Sequence, residues 1–158
     1  MKKLLSTTLL FFATCTLLAQ VKVYKGDSKF SMDLICTVKD GKVYKGNSFF
    51  SGDIIYTIVN DQIIDGNSKS VFDVVFTVRD GKIYNERSRM SSHILFNIKD
   101  GKIYKENSNS IFDIIATIRD RKVYKERSRF PSDVLFTIDG KLTIEEFVAT
   151  WFAIKYTY

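Results

Sequence analysis

The chain has 158 residues, a formal charge of +6 at pH 7, two cysteines and a single histidine. This length is enough for one ordinary domain, and so few cysteines and histidines leave no zinc or nucleophile constellation apparent. The mild basic excess favours anionic partners such as cell-surface polysaccharide, but by itself it does not indicate nucleic acid.

Residues 1–19 have the pattern of a secretory signal peptide. A short basic start is followed by a mostly apolar run over 4–18, which ends at Ala19. The run is too short for a membrane span, which needs roughly 20 apolar residues, and no later segment qualifies. Cleavage would reduce the charge to +4 and leave Cys36 as the only cysteine, so no intramolecular disulfide could form. We therefore predict an exported protein that is periplasmic, surface-bound or secreted.

Residues 20–141 consist of six tandem units of 20 residues. One serine recurs without exception, and one tyrosine recurs with Ile64 as its only substitute. The serines are Ser28, Ser48, Ser68, Ser88, Ser108 and Ser128, and the tyrosines are Tyr24, Tyr44, Tyr84, Tyr104 and Tyr124. A fixed period of this length is typical of repeat architectures.

Each unit contains two strand-like runs. In the second run of one unit Ile54, Tyr56 and Ile58 alternate, which predicts a strand with one face in the core. The central core column is expected to be Cys36, Tyr56, Phe76, Phe96, Ala116 and Phe136. The opposite face is expected to carry Ile55 beside Thr57. The first run, residues 42–45 in the same unit, is shorter and more polar.

Glycine and aspartate indicate the turns between these runs. Asp-Gly pairs at 40–41, 80–81, 100–101 and 139–140 predict two-residue hairpin turns, because both central residues need positive φ. The pairs at 61–62 and 120–121 lack the glycine. The other joint of each unit, beginning with Gly-Asn-Ser in 46–48, has residues that suit turns bonding back to the backbone.

Residues 142–158 form a separate C-terminal segment. Thr143 and Glu146 have capping-box spacing, and the apolar residues from Phe147 onward follow a helical stripe. We predict a helix over 144–156 that caps the last repeats, because the end of a repeat stack exposes strand edge and core.

The predicted fold is all-β, with two-strand hairpin units stacked as a β-solenoid-like array and a C-terminal capping α-helix. A parallel β-helix is the alternative, which the constant repeat length and the serine column keep open. Antiparallel hairpins are preferred, because a parallel helix would place identical lysines in rows about 4.8 Å apart, where they repel.

The motif Tyr-Lys-Gly-Asn-Ser, followed by Asp-Ile-Ile-Tyr-Thr-Ile and an Asp-Gly turn, resembles tandem repeats of uncharacterised secreted bacterial proteins over residues 22–158. The resemblance implies export but no particular activity. Unit length and aromatic content are also loosely similar to cell-wall-binding hairpin repeats, although their glycine-tryptophan signature is missing. This second likeness implies a binding role.

An aspartate column precedes the second strand of each unit, with His93 as the exception. Asp in such turns ordinarily bonds backbone amides, and its spacing matches no calcium motif, so we predict no metal, cofactor or catalytic residue. The alternative is a carbohydrate-active enzyme that uses Asp113 and Asp133, which would need a separation of roughly 5 to 10 Å.

A basic and aromatic stripe is the candidate binding surface. Its residues are Tyr44, Tyr84, Tyr104, Tyr124, Lys45, Lys105 and Lys125. Aromatic faces beside cations suit sugars or anionic polymers, although a tyrosine ladder could instead only support the sheet. The resulting hypothesis is a non-enzymatic binding or structural module at the cell envelope, whose partner is envelope polysaccharide or another surface protein and not nucleic acid.

Overall fold

The computed structural model describes residues 20–157, so the predicted signal peptide lies outside the described residues. Twelve strands, β1 to β12 in chain order, are followed by one helix, α1, at Ile144–Thr157. The strands are Val21–Lys25, Leu34–Lys39, Lys42–Lys45, Ile54–Val59, Gln62–Asp65, Val74–Arg79, Lys82–Asn85, Ile94–Lys99, Lys102–Lys105, Ile114–Arg119, Lys122–Lys125 and Val134–Asp139.

Every strand pairs antiparallel with its neighbours in sequence, and β12 pairs with β1, so the sheet closes into a barrel. The closing register places Val23 opposite Ile138 and Tyr24 opposite Thr137. The prediction of an open, solenoid-like stack was therefore wrong, and so was the parallel β-helix alternative. Closure pairs the two strand edges that an open stack would leave exposed.

Short turns join the strands at one end of the barrel. Asp40 and Gly41 have φ of 53° and 67°, which confirms the two-residue hairpin with positive φ at both positions. The glycine-free turn at Asp120 and Arg121 has the same conformation, with φ of 51° and 61°. The prediction was wrong at 139–140, because β12 ends there, pairs with β1, and leads into α1.

Six long loops join the strands at the other end, and we number them first to sixth. They comprise residues 26–33, 46–53, 66–73, 86–93, 106–113 and 126–133, each ending in a short 3-10 helix. The loops fold back along the outside of the barrel. Lys29 reaches Asp139 at 2.9 Å, and the Lys39 ammonium lies 5.2 Å from the Phe49 ring centroid. Both contacts are made near the short-turn end.

A β-bulge in every unit changes the predicted strand faces. Val23 pairs with Cys36 but Tyr24 pairs with Leu34, so Ile35 is an extra residue. Ile35 therefore joins the core cluster with Cys36, whereas period-two alternation placed it beside Thr37 on the opposite face. The predicted core column itself is confirmed: Phe76, Phe96 and Phe136 are buried.

Helix α1 lies inside the barrel. Its residues Phe147, Val148, Ala149 and Thr150 are all buried, and four consecutive residues cover a full turn, so the helix is enclosed on all sides. The predicted capping box is present: the Thr143 amide donates to Glu146 Oε2 at 2.9 Å, and the Glu146 amide donates to Thr143 Oγ1 at 3.2 Å. The helix thus fills the lumen instead of covering the end of a stack.

A threonine column stabilises the long loops. Its residues are Thr37, Thr57, Thr77, Thr117 and Thr137, and Asn97 takes the same position in the fourth unit. Thr77 is buried, and its hydroxyl donates to the Glu86 carbonyl at 2.7 Å. We expect Thr77→Val to lower the free energy of unfolding by about 1 kcal/mol, because the loop carbonyl loses its donor. Thr117→Val is the matched control, since Thr117 makes the same bond to Glu126 at a half-buried position where water can replace it. Denaturant titration would contradict this account if Thr117→Val had the larger effect.

Candidate functional site

The predicted stripe of tyrosines and lysines does not form one surface. Tyr104 and Tyr124 are buried, Tyr44 and Tyr84 are half-buried, and each pairs across the strands with the threonine column or Asn97. The exposed lysines of the stripe are Lys45, Lys105 and Lys125. Successive side chains of a strand point to opposite faces, so each lysine points away from the tyrosine that precedes it. Ligand binding by these residues remains a prediction.

The tyrosine rings are covered by neighbouring side chains. The Arg119 guanidinium lies 4.7 Å from the Tyr124 ring centroid, and Phe49 packs edge-on against Tyr44 with centroids 5.5 Å apart. Little ring face is therefore available to a sugar, and the arrangement is that of a supporting cross-strand column.

The serine and aspartate columns bond to each other inside the long loops. In five units the serine hydroxyl donates to the aspartate Oδ2 at 2.5 to 2.6 Å, over the pairs Ser28–Asp33, Ser48–Asp53, Ser68–Asp73, Ser108–Asp113 and Ser128–Asp133. The same serine oxygen accepts a hydrogen bond from the backbone amide two residues later; for example, the Phe50 amide donates to Ser48 Oγ at 3.2 Å. These bonds explain why the serine recurs in every unit: it closes the loop.

His93 replaces the aspartate in the fourth unit. There the Ser88 hydroxyl oxygen still accepts the Met90 amide at 3.2 Å, and the Ser88 amide donates to the Asn85 carbonyl at 3.2 Å. Within residues 20–157, no group of three or more His, Cys, Asp or Glu side chains could hold a metal ion. Asp113 and Asp133, the two residues of the alternative enzyme hypothesis, each accept a hydrogen bond from the serine hydroxyl of their own loop. Both residues therefore have a structural role in their loops.

Cys36 is enclosed in the core. Burial raises the pKa of its thiol to about 12, so the group stays protonated at neutral pH and lacks the thiolate needed for nucleophilic chemistry.

Sequence reasoning missed the exposed apolar side chains of the long loops. Every long loop has at least one, with 62 to 88% of its surface exposed, and these are Phe30, Met32, Phe50, Phe72, Met90, Phe112 and Phe130. Apolar surface displayed in this way is typical of interaction sites. The sequence did contain an indication of these residues, because each unit has a large apolar residue within a turn segment of mostly small and polar residues. It lies at the position of Phe50 in the first, second, fourth and sixth units, and at the position of Phe72 in the third and fifth; the first unit has Met32 at this second position as well.

None of the helices among residues 20–157 has the length and apolar character needed to cross a membrane. A family model described as 6-fold beta flower protein matches residues 23–151, which includes all six repeats and the first half of α1. No curated protein and no solved structure matches the chain. The match extends over most of the sequence and its six-fold description agrees with six repeats closed into one ring, so the chain belongs to the 6-fold beta flower proteins.

Proposed function

We propose that this chain is an exported, non-enzymatic binding module that contacts polysaccharide at the cell envelope through its six long loops. The observation that carries the proposal is the exposed phenylalanine or methionine in each loop. A flat aromatic ring offers apolar area to the carbon face of a sugar. Export is inferred from the signal-peptide pattern of residues 1–19.

Six equivalent loops suit a repetitive ligand. A single phenylalanine on a loop contributes little affinity, but a polymer that engages several loops at once converts the later contacts into intramolecular ones. The loops are also well positioned for this role, because a Ser–Asp bond holds five of the six in place, as between Ser48 and Asp53. The alternative of a carbohydrate-active enzyme has no supporting observation among the described residues.

The test is retention of the mature protein on insoluble envelope polysaccharide from the producing organism. We expect the triple variant Phe50→Ser, Phe112→Ser and Phe130→Ser to lose at least tenfold in retention. Its melting temperature should stay close to that of the parent, because the three rings are largely exposed and surface substitutions seldom change stability by more than about 0.5 kcal/mol.

A control variant changes one exposed polar residue in each of the same loops: Ser51→Ala, Asn109→Ala and Ser132→Ala. It should be retained like the parent. Equal retention of the phenylalanine variant and the parent would refute the proposal. Loss of binding after protease treatment of the envelope material would instead assign the loops to a protein partner.

A further inference from the structure

A cleft on the outside of the barrel carries four cations and no carboxylate. It lies between the fifth and sixth long loops, over β9 and β10, and has a volume of about 430 Å³. Its cationic lining residues are Lys102, Arg119, Arg127 and Arg129, and we call this site the cation cleft. Cavities of this size are typical of small-molecule sites.

Three of the four cations lack an acidic partner. Among residues 20–157, no carboxylate oxygen lies within 4.0 Å of Lys102, Arg127 or Arg129. Lys102 also lies directly opposite Lys99 across the β8–β9 pair, and like charges in that position destabilise a sheet. The repulsion around the cleft would be relieved by a bound anion.

Arg119 is the most restrained of the four. Its guanidinium packs over the Tyr124 ring at 4.7 Å, and its Nε lies 3.8 Å from the exposed carboxylate of Asp120. A guanidinium that is already held in place loses less freedom on binding, and its planar array of donors matches the oxygens of phosphate or sulfate.

The repeat provides an internal comparison 40 residues earlier, where the equivalent residues are Gln62, Arg79, Arg87 and Arg89. Neutral Gln62 replaces Lys102 there. Arg79 Nε lies 3.2 Å from Asp61 Oδ2, and the Arg87 guanidinium lies 5.7 Å from the Phe72 ring centroid. Compared with the cation cleft, this earlier position therefore has one cation fewer and one carboxylate more. Two of its arginines already contact a neighbouring side chain.

We propose that the cation cleft binds a tetrahedral oxyanion, a phosphate or sulfate group, carried on a larger molecule. The four cations supply the charge and the donors. The cleft is too large for a bare anion, and Ile111, Ile114 and Ile118 line the remainder, where they would contact the apolar part of the carrier. This site is separate from the exposed rings of the long loops, so it can exist whether or not those loops bind polysaccharide.

Isothermal titration of the mature protein tests the site without any polysaccharide. The probes are inorganic phosphate, inorganic sulfate and phenyl phosphate, each compared with sodium chloride at matched ionic strength. We expect one site per chain and tighter binding of phenyl phosphate than of inorganic phosphate. Equal affinity for these two would overturn the role given to the isoleucines.

Variants separate a specific site from general surface charge. Lys102→Gln should weaken phosphate binding at least tenfold, and the barrel should fold normally because Gln62 occupies the equivalent strand position. Arg127→Gln with Arg129→Gln should weaken it by at least as much. The matched control, Arg87→Gln with Arg89→Gln, removes the same charge from the fourth loop and should change the affinity less than twofold.

Two results would overturn the proposal. One is binding of phosphate no stronger than of chloride at the same ionic strength. The other is an equal loss of affinity in the fourth-loop and sixth-loop variants, which would indicate only the overall charge of the protein.

Discussion

Replacing Phe152 with alanine is expected to lower the free energy of unfolding by about 3 to 5 kcal/mol. Phe152 lies on the enclosed helix, is 4% exposed, and stacks on Phe76 with ring centroids 3.6 Å apart and planes within 9°. It also approaches Phe96 at 5.6 Å. Because the surrounding wall is a closed ring of hydrogen-bonded strands, it cannot collapse into the space that the ring leaves, so the cost should be near the upper end.

Denaturant titration measures this effect. Lys155→Ala is the matched control, because Lys155 lies one turn further along α1 and is exposed; its effect should remain within about 0.5 kcal/mol. Equal unfolding midpoints for the two variants would mean that the lumen is not packed around Phe152.

A chain that ends at Lys141 is expected to lose cooperative folding altogether. Barrels of about eight strands fill their interior with their own side chains, and a ring of twelve strands encloses more space. Helix α1, with a diameter of about 10 to 12 Å including side chains, occupies that space in this protein. Its loss would expose the whole inner column from Cys36 to Phe136 to water.

The measurement is circular dichroism on heating, with a peptide of residues 142–158 added in trans. The full chain should melt in one sharp transition and the truncated chain should not. Recovery of the transition on adding the peptide would show that the helix acts by filling the lumen and not by aiding synthesis or export. A truncated chain that melts as sharply and at the same temperature as the full one would contradict this interpretation.

Local features of the fold were accessible from the sequence because each depends on a few neighbouring residues. Asp40 and Gly41 form the expected turn because that pair accepts positive φ at both positions. Thr143 and Glu146 begin the helix because their side chains reach each other's amides. The core column through Phe76, Phe96 and Phe136 is buried, as its apolar alternation predicted.

One error came from a feature that local patterns do not contain. A bulge adds Ile35 to the core face, and the order of apolar residues in a strand does not show where such an insertion occurs. The partial burial of the tyrosines in the predicted stripe was not visible in the sequence for a related reason. These tyrosines lie on the outer face of the barrel, but the long loops fold back over that face, and the path of a loop depends on contacts such as that between Lys29 and Asp139, which are 110 residues apart.

The sequence by itself determined six two-strand units, the short turns within the chain of strands apart from 139–140, the core column and a capped C-terminal helix, because each follows from interactions within one repeat or one helical turn. Only the tertiary structure decided that the units close on themselves, with β12 against β1, and that the helix lies within the ring. The same repeat could pair its edges with further copies in an open stack. Whether it closes depends on the twist between strands summed over all six units and on whether Phe147, Val148 and Phe152 can fill the enclosed space, and no single repeat contains that information.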